Sequence, residues 1–404
     1  MMLAGFFTMP ESRPVIPAGR VAACGACGLH RGCKSPRMPV SGDGRQGVLV
    51  VAEAPGEMED EQGVQLVGRA GQKLRERLGR IGFDLDGDCW KTNAVCCRPP
   101  GNVRPTTKQI AACRPNVLRA IEELKPRVVL LCGAVAVESV VGAVWTRAGG
   151  VGEIGRWVGW RVPSGRWNAW VCPTWHPSYL LREEGNKALE LLFDRHLHDA
   201  FGSIARPWEG GPPDWESQVE PVAEPARAAG MIDRMRAKGG AVAFDFETDR
   251  LKPDHPDARI VSCAVCWEGR KTITFPWAGP AAEAMGALLA DPGVRKICWG
   301  IKFEQRWARK ATGRGVAGWD WCGMHAAHVL DNRPGITSLK FQAFTRLGVE
   351  PYDADVGPLL RADGGNERNR IDRVDPRRLL IYNGLDALFT WRIAQMQKEE
   401  MVAR

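Results

Sequence analysis

Residues 48–56 read VLVVAEAPG, and this stretch decides the architecture of the first half of the chain. An unbroken apolar run, Val48 to Ala52, ends at Glu53, and Ala-Pro-Gly then stops regular structure. A short run with no polar alternation suits a strand buried on both faces, as in a parallel sheet covered by helices. The surrounding sequence supplies the other layers. Residues 71–82 (GQKLRERLGRIG) and 106–124 have helical spacing, the second with Thr106 and Gln109 placed as a capping box. Residues 92–96, 127–132 and 170–172 read as further short strands. Strand and helix in alternation predict an α/β domain of three layers around a parallel sheet. Ligands of such sheets bind beyond the carboxyl ends of the strands. That rule gathers Glu53, Asn93 and His176 at one rim. Each alone is an ordinary structural residue; three polar groups at one rim specify a cleft.

The chain has 404 residues, 44% of them hydrophobic, enough for two or three domains with sizeable cores. Its formal charge of +8 favours an acidic partner, and residues 1–204, with 26 basic against 20 acidic side chains, carry most of it. Between Lys91 and Ile121 there are six Lys or Arg and no acid, a composition that phosphate contact would use. The only apolar run near the start, Leu3 to Phe7, has no basic flank, and no apolar stretch reaches 18 residues. No signal peptide and no membrane span are expected, which places the protein in the cytoplasm. Thirteen cysteines in a long chain of this kind indicate reduced thiols or metal ligands. Cys24 and Cys27, two residues between them, with Cys97 and Cys113, fifteen between them, make a four-thiolate set that suits zinc or iron–sulfur by spacing alone. Cys33, Cys89, Cys96, Cys132 and Cys172 are left over and read as small buried side chains.

In order, VAEAPGEMEDEQG (51–63), LVGRAGQKL (66–74), KTNAVCCRPPGNVRP (91–105), Cys113 and HPSYLLR (176–182) resemble the motifs of family-4 uracil-DNA glycosylases, over about residues 20–202. The resemblance implies a nucleotide flipped into the pocket. Asn93 would bond the uracil edge, His176 stabilise charge on the departing base, and Glu53 orient water or stabilise the positive sugar. Cleaving a glycosidic bond needs such a carboxylate and donor on opposite sides. Glu59 would meet substrate or hold its acidic loop; Arg182 would meet DNA or lie free on the surface. The resemblance also selects a [4Fe-4S] cluster on Cys24, Cys27, Cys97 and Cys113, folding the basic loop. Two departures stand out. Leu66, in QLVG, replaces the Phe that stacks on the base, a contact worth ~1–3 kcal/mol, and Ala52 replaces a glycine. Uracil excision, another base preference and a binding-only domain all remain open on these residues.

Residues 203–229, rich in Pro and Gly, read as a linker between a domain at 1–202 and a second at 230–404. In AVAFDFETD (241–249) the strand period puts Asp245 and Glu247 on one face and Phe244 and Phe246 on the other. Acids beside an apolar strand suit hard cations such as Mg²⁺ or Mn²⁺. A hairpin around Glu268-Gly269 follows, with Cys263 and Cys266 as structural residues within it. WGIKFEQRW (299–307) carries Glu304, and LLIYNGLDALFTWRI (379–393) carries Tyr382 and Asp386 one helical turn apart. This order resembles the proofreading 3′ to 5′ exonuclease domain of family A DNA polymerases, of the tyrosine-containing DEDD type. The resemblance implies a ribonuclease-H-like fold with a mixed sheet. It also implies two Mg²⁺ or Mn²⁺ held by Asp245, Glu247, Glu304 and Asp386, with Tyr382 positioning the attacking water. Glu304 stands where Asp is usual.

The expected protein is a DNA repair and replication hydrolase that excises uracil and trims 3′ ends. Its expected partners are single-stranded or uracil-containing DNA and a separately encoded polymerase, as in a bacteriophage replication module or a bacterial cytoplasm. The rival expectation is an exonuclease whose first domain is a non-catalytic clamp or uracil sensor.

Overall fold

The computed structural model describes residues 24–208, 213–269 and 271–403. The run Leu3 to Phe7 lies outside them. The chain divides into two compact units, Met1–Trp145 with Gly149–Gly210, and Thr146–Ala148 with Gly211–Arg404.

The first unit runs β1 (Val48–Ala52), α1 (Glu57–Gln62), α2 (Arg69–Arg80), β2 (Cys89–Asn93), α3 (Thr107–Leu124), β3 (Val128–Cys132), α4 (Ala134–Val140), β4 (Val162–Ser164), β5 (Ala169–Thr174), α5 (Pro177–Arg182) and α6 (Lys187–Gly202). Its sheet has the order β2-β1-β3-β5-β4. All five residues of β1 are buried. Val48, Val50 and Ala52 join Leu74, Leu78, Phe193 and Leu197 in one apolar cluster; Leu49, Val51, Val129 and Leu131, alternating with them, are equally buried, so both faces are covered. Thr106 caps α3 as expected, its Oγ1 accepting the Gln109 N–H at 3.3 Å while Gln109 Oε1 accepts the Thr106 N–H at 2.8 Å. The sheet is mixed, not purely parallel. Strand β4 runs antiparallel to β5, with Ser164 opposite Ala169. A hairpin returns the chain in that direction, and Pro163 is tolerated because β4 is an edge.

The second unit runs β6 (Val219–Pro221), α7 (Pro225–Lys238), β7 (Gly240–Thr248), β8 (Ile260–Trp267), β9 (Lys271–Pro276), α8 (Gly279–Ala290), β10 (Val294–Cys298), α9 (Ile301–Thr312), β11 (Trp319–Cys322), α10 (Gly323–Leu330), α11 (Leu339–Leu347), α12 (Gly357–Leu360) and α13 (Pro376–Ala403). Its sheet, β11-β10-β7-β8-β9-β6, is also mixed: β7 to β9 form an antiparallel meander and β10 runs parallel to β7. One face, with Phe244, Phe246, Val265 and Phe275, packs on α7 and α8. The other, with Ala241, Ala243, Ala264 and Cys266, packs on Ala387, Leu388 and Ala394 of α13. Asp245 and Glu247 share this second face. Cys263 and Cys266 fall in different clusters, on opposite faces, so they cannot grip one ion. Glu268 and Gly269 turn the hairpin with φ of 47° and 66°.

Much of the expected linker is ordered structure. Val219–Pro221 pairs with β9 as β6, and α7 begins at Pro225. Proline at the first helical position starts a helix instead of breaking one, and the burial of Val219 and Val222 anchors the segment. No helix among the described residues is long and apolar enough to cross a membrane.

Candidate functional site

Four neighbouring parallel strands of the first unit deliver the first site. Asn93 ends β2, level with Ala52 of β1. Glu53 follows β1, Gly133 follows β3, and His176 follows β5 and caps α5. Glu53 Oε1 accepts the N–H of Val135, in the first turn of α4, at 3.3 Å. Gly133, at φ 101°, permits this approach, since a Cβ there would lie 2.4 Å from that oxygen. Asn93 is 3% exposed and its Nδ2 has no hydrogen-bond partner. An unpaired buried donor costs about 1–3 kcal/mol, so this amide is set up for an incoming acceptor.

His176 Nδ1 lies 2.8 Å from Ser178 Oγ and accepts the Ser178 N–H at 3.2 Å. Arg182 Nη1 donates to the same hydroxyl at 3.1 Å, so the arginine is tied to the histidine through Ser178. Burial first, and the Arg182 charge after it, push the imidazole below its ordinary pKa, against the opposing charges of Glu53 and Glu59. Ser178 received no role from the sequence; its place two residues after His176 and one helical turn before Arg182 was the available signal. Glu59 holds two loops: its carboxylate accepts the N–H of Gly56 at 3.1 Å and of Gly68 at 2.8 Å. Leu66 is 5% exposed, packs in the apolar cluster and has φ 57°.

The cysteines gather next to this rim. Cys113 Sγ accepts the Cys96 N–H at 3.2 Å and Asn116 Nδ2 at 3.4 Å; the same amide lies 3.8 Å from Cys24 Sγ. Cys97 Sγ accepts the Arg37 N–H at 3.2 Å. Hydrogen bonding from Cys96 holds the Cys113 thiol down at about 6. Cys27 sits three residues from Cys24 in the same turn. Cys89, Cys96, Cys132 and Cys172 are buried as expected, but Cys33 is half-buried and lies near enough to Cys97 to help raise that thiol's pKa. The basic stretch is also less available than its composition implied. Lys91 is buried against Asp86, and Arg114 is spent on the carbonyls of Glu138 and Ser139 at 2.9 Å each.

In the second unit, carboxylate oxygens of Asp245, Glu247 and Asp386 all lie within 4.8 Å of one another. The strand period supplies the first two and one turn of α13 the third, beside Tyr382. Asn383 orients Asp245, its Nδ2 donating to Oδ2 at 2.9 Å while its Oδ1 accepts Ser262 Oγ at 2.9 Å. Glu304, in the first turn of α9, is 2% exposed, and its Oε2 has no hydrogen-bond partner. Burial, then the charges of the neighbouring acids, raise Asp245, Glu247 and Glu304 above the ordinary carboxylate range. Mutually repelling acids with an orphaned oxygen fit a site made for cations. Three residues here were missed in the sequence: Asn383, Lys340 and Tyr352. Lys340, on α11, and the hydroxyl of Tyr352 both donate to Asp386 Oδ1. The rings of Tyr352 and Tyr382 lie 5.9 Å apart.

Both units have counterparts among known proteins. Residues 39–197 match the uracil DNA glycosylase superfamily, and residues 219–401 match the 3′-5′ exonuclease family. The chain is 36% identical to a type-4 uracil-DNA glycosylase of Pyrobaculum aerophilum over 185 residues, 44% of this chain and 88% of that one. It is 36% identical to the Thermotoga maritima enzyme of that name over 191 residues, 46% and 93% of the two chains. Among solved structures, the catalytic core of RRP6 from Trypanosoma brucei aligns over 46% of this chain and 47% of its own, at 14% identity and a TM-score of 0.36. The protein is therefore an enzyme that couples a uracil-DNA glycosylase domain to a 3′-5′ exonuclease domain. Through the first of these, the chain belongs to the type-4 uracil-DNA glycosylases.

Proposed function

We propose that the first unit removes uracil from DNA through Asn93, Glu53 and His176, and that the second hydrolyses 3′-terminal phosphodiesters with two divalent cations. The observation that carries the first half is the buried, unpartnered amide of Asn93. A flipped uracil offers the carbonyl that this donor lacks. As the C1′–N1 bond breaks, electrons pass to the base, and His176, with its proton on Nε2, donates to the developing oxyanion. Glu53, held by the Val135 N–H, faces the growing positive charge on the sugar and orients the water that adds to C1′. Ser178 fixes the imidazole, and Arg182 reaches the DNA backbone from the same hydroxyl. Glu59 acts through the loops that it joins, and Leu66 lines the base site without stacking.

For the exonuclease, Asp245, Glu247, Glu304 and Asp386 would hold Mg²⁺ or Mn²⁺, which would supply a more acidic attacking water and positive charge for the leaving 3′ oxygen. Tyr382 positions that water, and Asn383 keeps Asp245 in its ligating pose. The P–O3′ bond breaks, releasing a 5′-mononucleotide and a new 3′ hydroxyl. The donor set Cys24, Cys27, Cys97 and Cys113, with N–H groups aimed at two of its sulfurs, suits a [4Fe-4S] cluster that shapes the DNA-facing loop. We place the protein in a bacterial or phage-infected cytoplasm, beside a separately encoded polymerase. The clamp reading draws no support from the family membership.

A 5′-labelled single strand with one uracil tests this. In EDTA, followed by alkali, a break at uracil that His176→Ala removes is expected. With Mn²⁺, a 3′ ladder that Asp245→Ala removes is expected. A uracil break unaffected by His176→Ala, or a ladder persisting in EDTA, would overturn the corresponding half.

A further inference from the structure

Lys340 stands among the carboxylates of the second unit, at the side chain of Asp386. It is 9% exposed, and its ammonium donates to Asp386 Oδ1. The same group lies 4.4 Å from the ring centroids of both Tyr352 and Tyr382. Two aromatic faces and a carboxylate therefore fix one buried cation.

On the two-cation reading above, we infer that Lys340 is a resident counter-cation that competes with divalent metal for Asp386 and, once displaced, binds the 3′-terminal phosphodiester. Three considerations carry this. First, Asp386 Oδ1 is already engaged by Lys340 and Tyr352, so a cation approaching this carboxylate meets the repulsion of the ammonium and competes with it for the same negative charge. Second, an ammonium this buried cannot be left unpaired without a cost of several kcal/mol. When Asp386 turns to a cation, Lys340 needs another anion, and the substrate brings one. Third, four carboxylates and one ammonium, joined by two divalent cations and one phosphodiester, sum to no net charge. Without Lys340 the loaded centre would carry an uncompensated negative charge.

The test is Mn²⁺ binding by the full-length protein without DNA, followed by electron paramagnetic resonance, for wild type, Lys340→Met and Asp386→Asn. Competition predicts a Mn²⁺ dissociation constant about tenfold lower in Lys340→Met. It also predicts an exonuclease kcat about 100-fold lower, with uracil excision unchanged. A residue that merely supports the fold would weaken Mn²⁺ binding when replaced, so unchanged or weaker binding overturns the inference. Lys340→Gln, which keeps a hydrogen bond to Asp386 without the charge, must shift binding in the same direction and decides the matter if the methionine variant does not fold. Failure of the underlying reading looks different: wild type would show no Mn²⁺ signal that Asp386→Asn abolishes.

Discussion

The backbone N–H of Ser178 donates to Nδ1 of His176 at 3.2 Å. An N–H can only donate, so Nδ1 carries the lone pair and the neutral ring keeps its proton on Nε2. Burial lowers the pKa of the imidazole, which keeps the ring neutral across the physiological range. Uracil excision should therefore stay flat from about pH 6.5 to 8 and fall only on further acidification. The unfolded chain takes up this proton first as pH drops below its ordinary value, so stability is lost in the same direction. Single-turnover excision in EDTA against pH checks this. A rate that climbs as pH falls through 6.5 would make the imidazolium the working form and sink the assignment. Ser178→Ala should cost about tenfold in rate, and His176→Ala about 10²–10³-fold.

Leu66 and Gly71 are locked by contact. A Cβ at Gly71 would fall 1.7 Å from the Leu66 carbonyl oxygen, which also accepts Arg75 Nη1 at 2.5 Å. Both ends of this clash are backbone, so Gly71→Ala must displace the loop that holds Leu66 at φ 57°. The expected result is destabilisation of the first unit by about 1–3 kcal/mol and uracil excision reduced at least about tenfold, with exonuclease activity untouched. Thermal unfolding and the two labelled-strand assays measure it. Equal loss of both activities would mean general misfolding.

What could be read in advance followed local chemistry. The unbroken run Val48 to Ala52 announced a doubly covered strand. The alternation of Phe244 and Phe246 with Asp245 and Glu247 announced a strand with one apolar and one acidic face, and Thr106 with Gln109 announced a helix start. What escaped depends on distant partners. Strand β4 has three residues, one of them proline, and exists because β5 pairs with it. Strand β6 hides in a Pro-rich segment whose order comes from β9. Lys340 and Tyr352 lie 46 and 34 residues from Asp386, in contexts where a lysine in a first helical turn and a loop tyrosine are commonplace. Lys91 counted as one charge of a basic surface until its burial against Asp86 was visible.

Asp245, Glu247 and Glu304 make the second unit's stability depend on pH when cations are absent. Burial and mutual repulsion raise all three. The folded form thus binds protons that the unfolded form releases near pH 4, and stability falls as pH rises from there through the folded values. In EDTA the exonuclease unit should melt at a higher temperature at pH 5.5 than at pH 8, by about 2–4 °C. Saturating Mg²⁺ should abolish that difference, because a bound cation favours the ionised form. Calorimetry at both pH values with and without Mg²⁺ decides it. A slope of opposite sign in EDTA would place these carboxylates in a relieved environment and undo the argument for a cation site built from them.

On the cluster reading, six thiols near the first site, Cys24, Cys27, Cys33, Cys96, Cys97 and Cys113, compete for four ligand positions. Cys113 receives N–H groups from Cys96 and Asn116, at 3.2 and 3.4 Å, and its pKa is held at about 6. Donated hydrogen bonds of this kind favour the anionic form of the sulfur, and the Arg37 N–H acts the same way on Cys97. Cys33 is half-buried and acts on Cys97, and among the described residues no N–H donor to its sulfur is found, unlike those of Cys97 and Cys113. Replacing Cys113 with serine should remove iron and acid-labile sulfide from the purified protein and with them its brown colour. Cys33→Ala should leave both at the wild-type level. Cys97→Ser discriminates further, since Cys33 is the neighbour placed to replace it. Near-complete loss of iron in that variant confirms Cys97 as the ligand. Retention of iron that the double variant Cys33→Ala, Cys97→Ser then loses would show that Cys33 takes over the position.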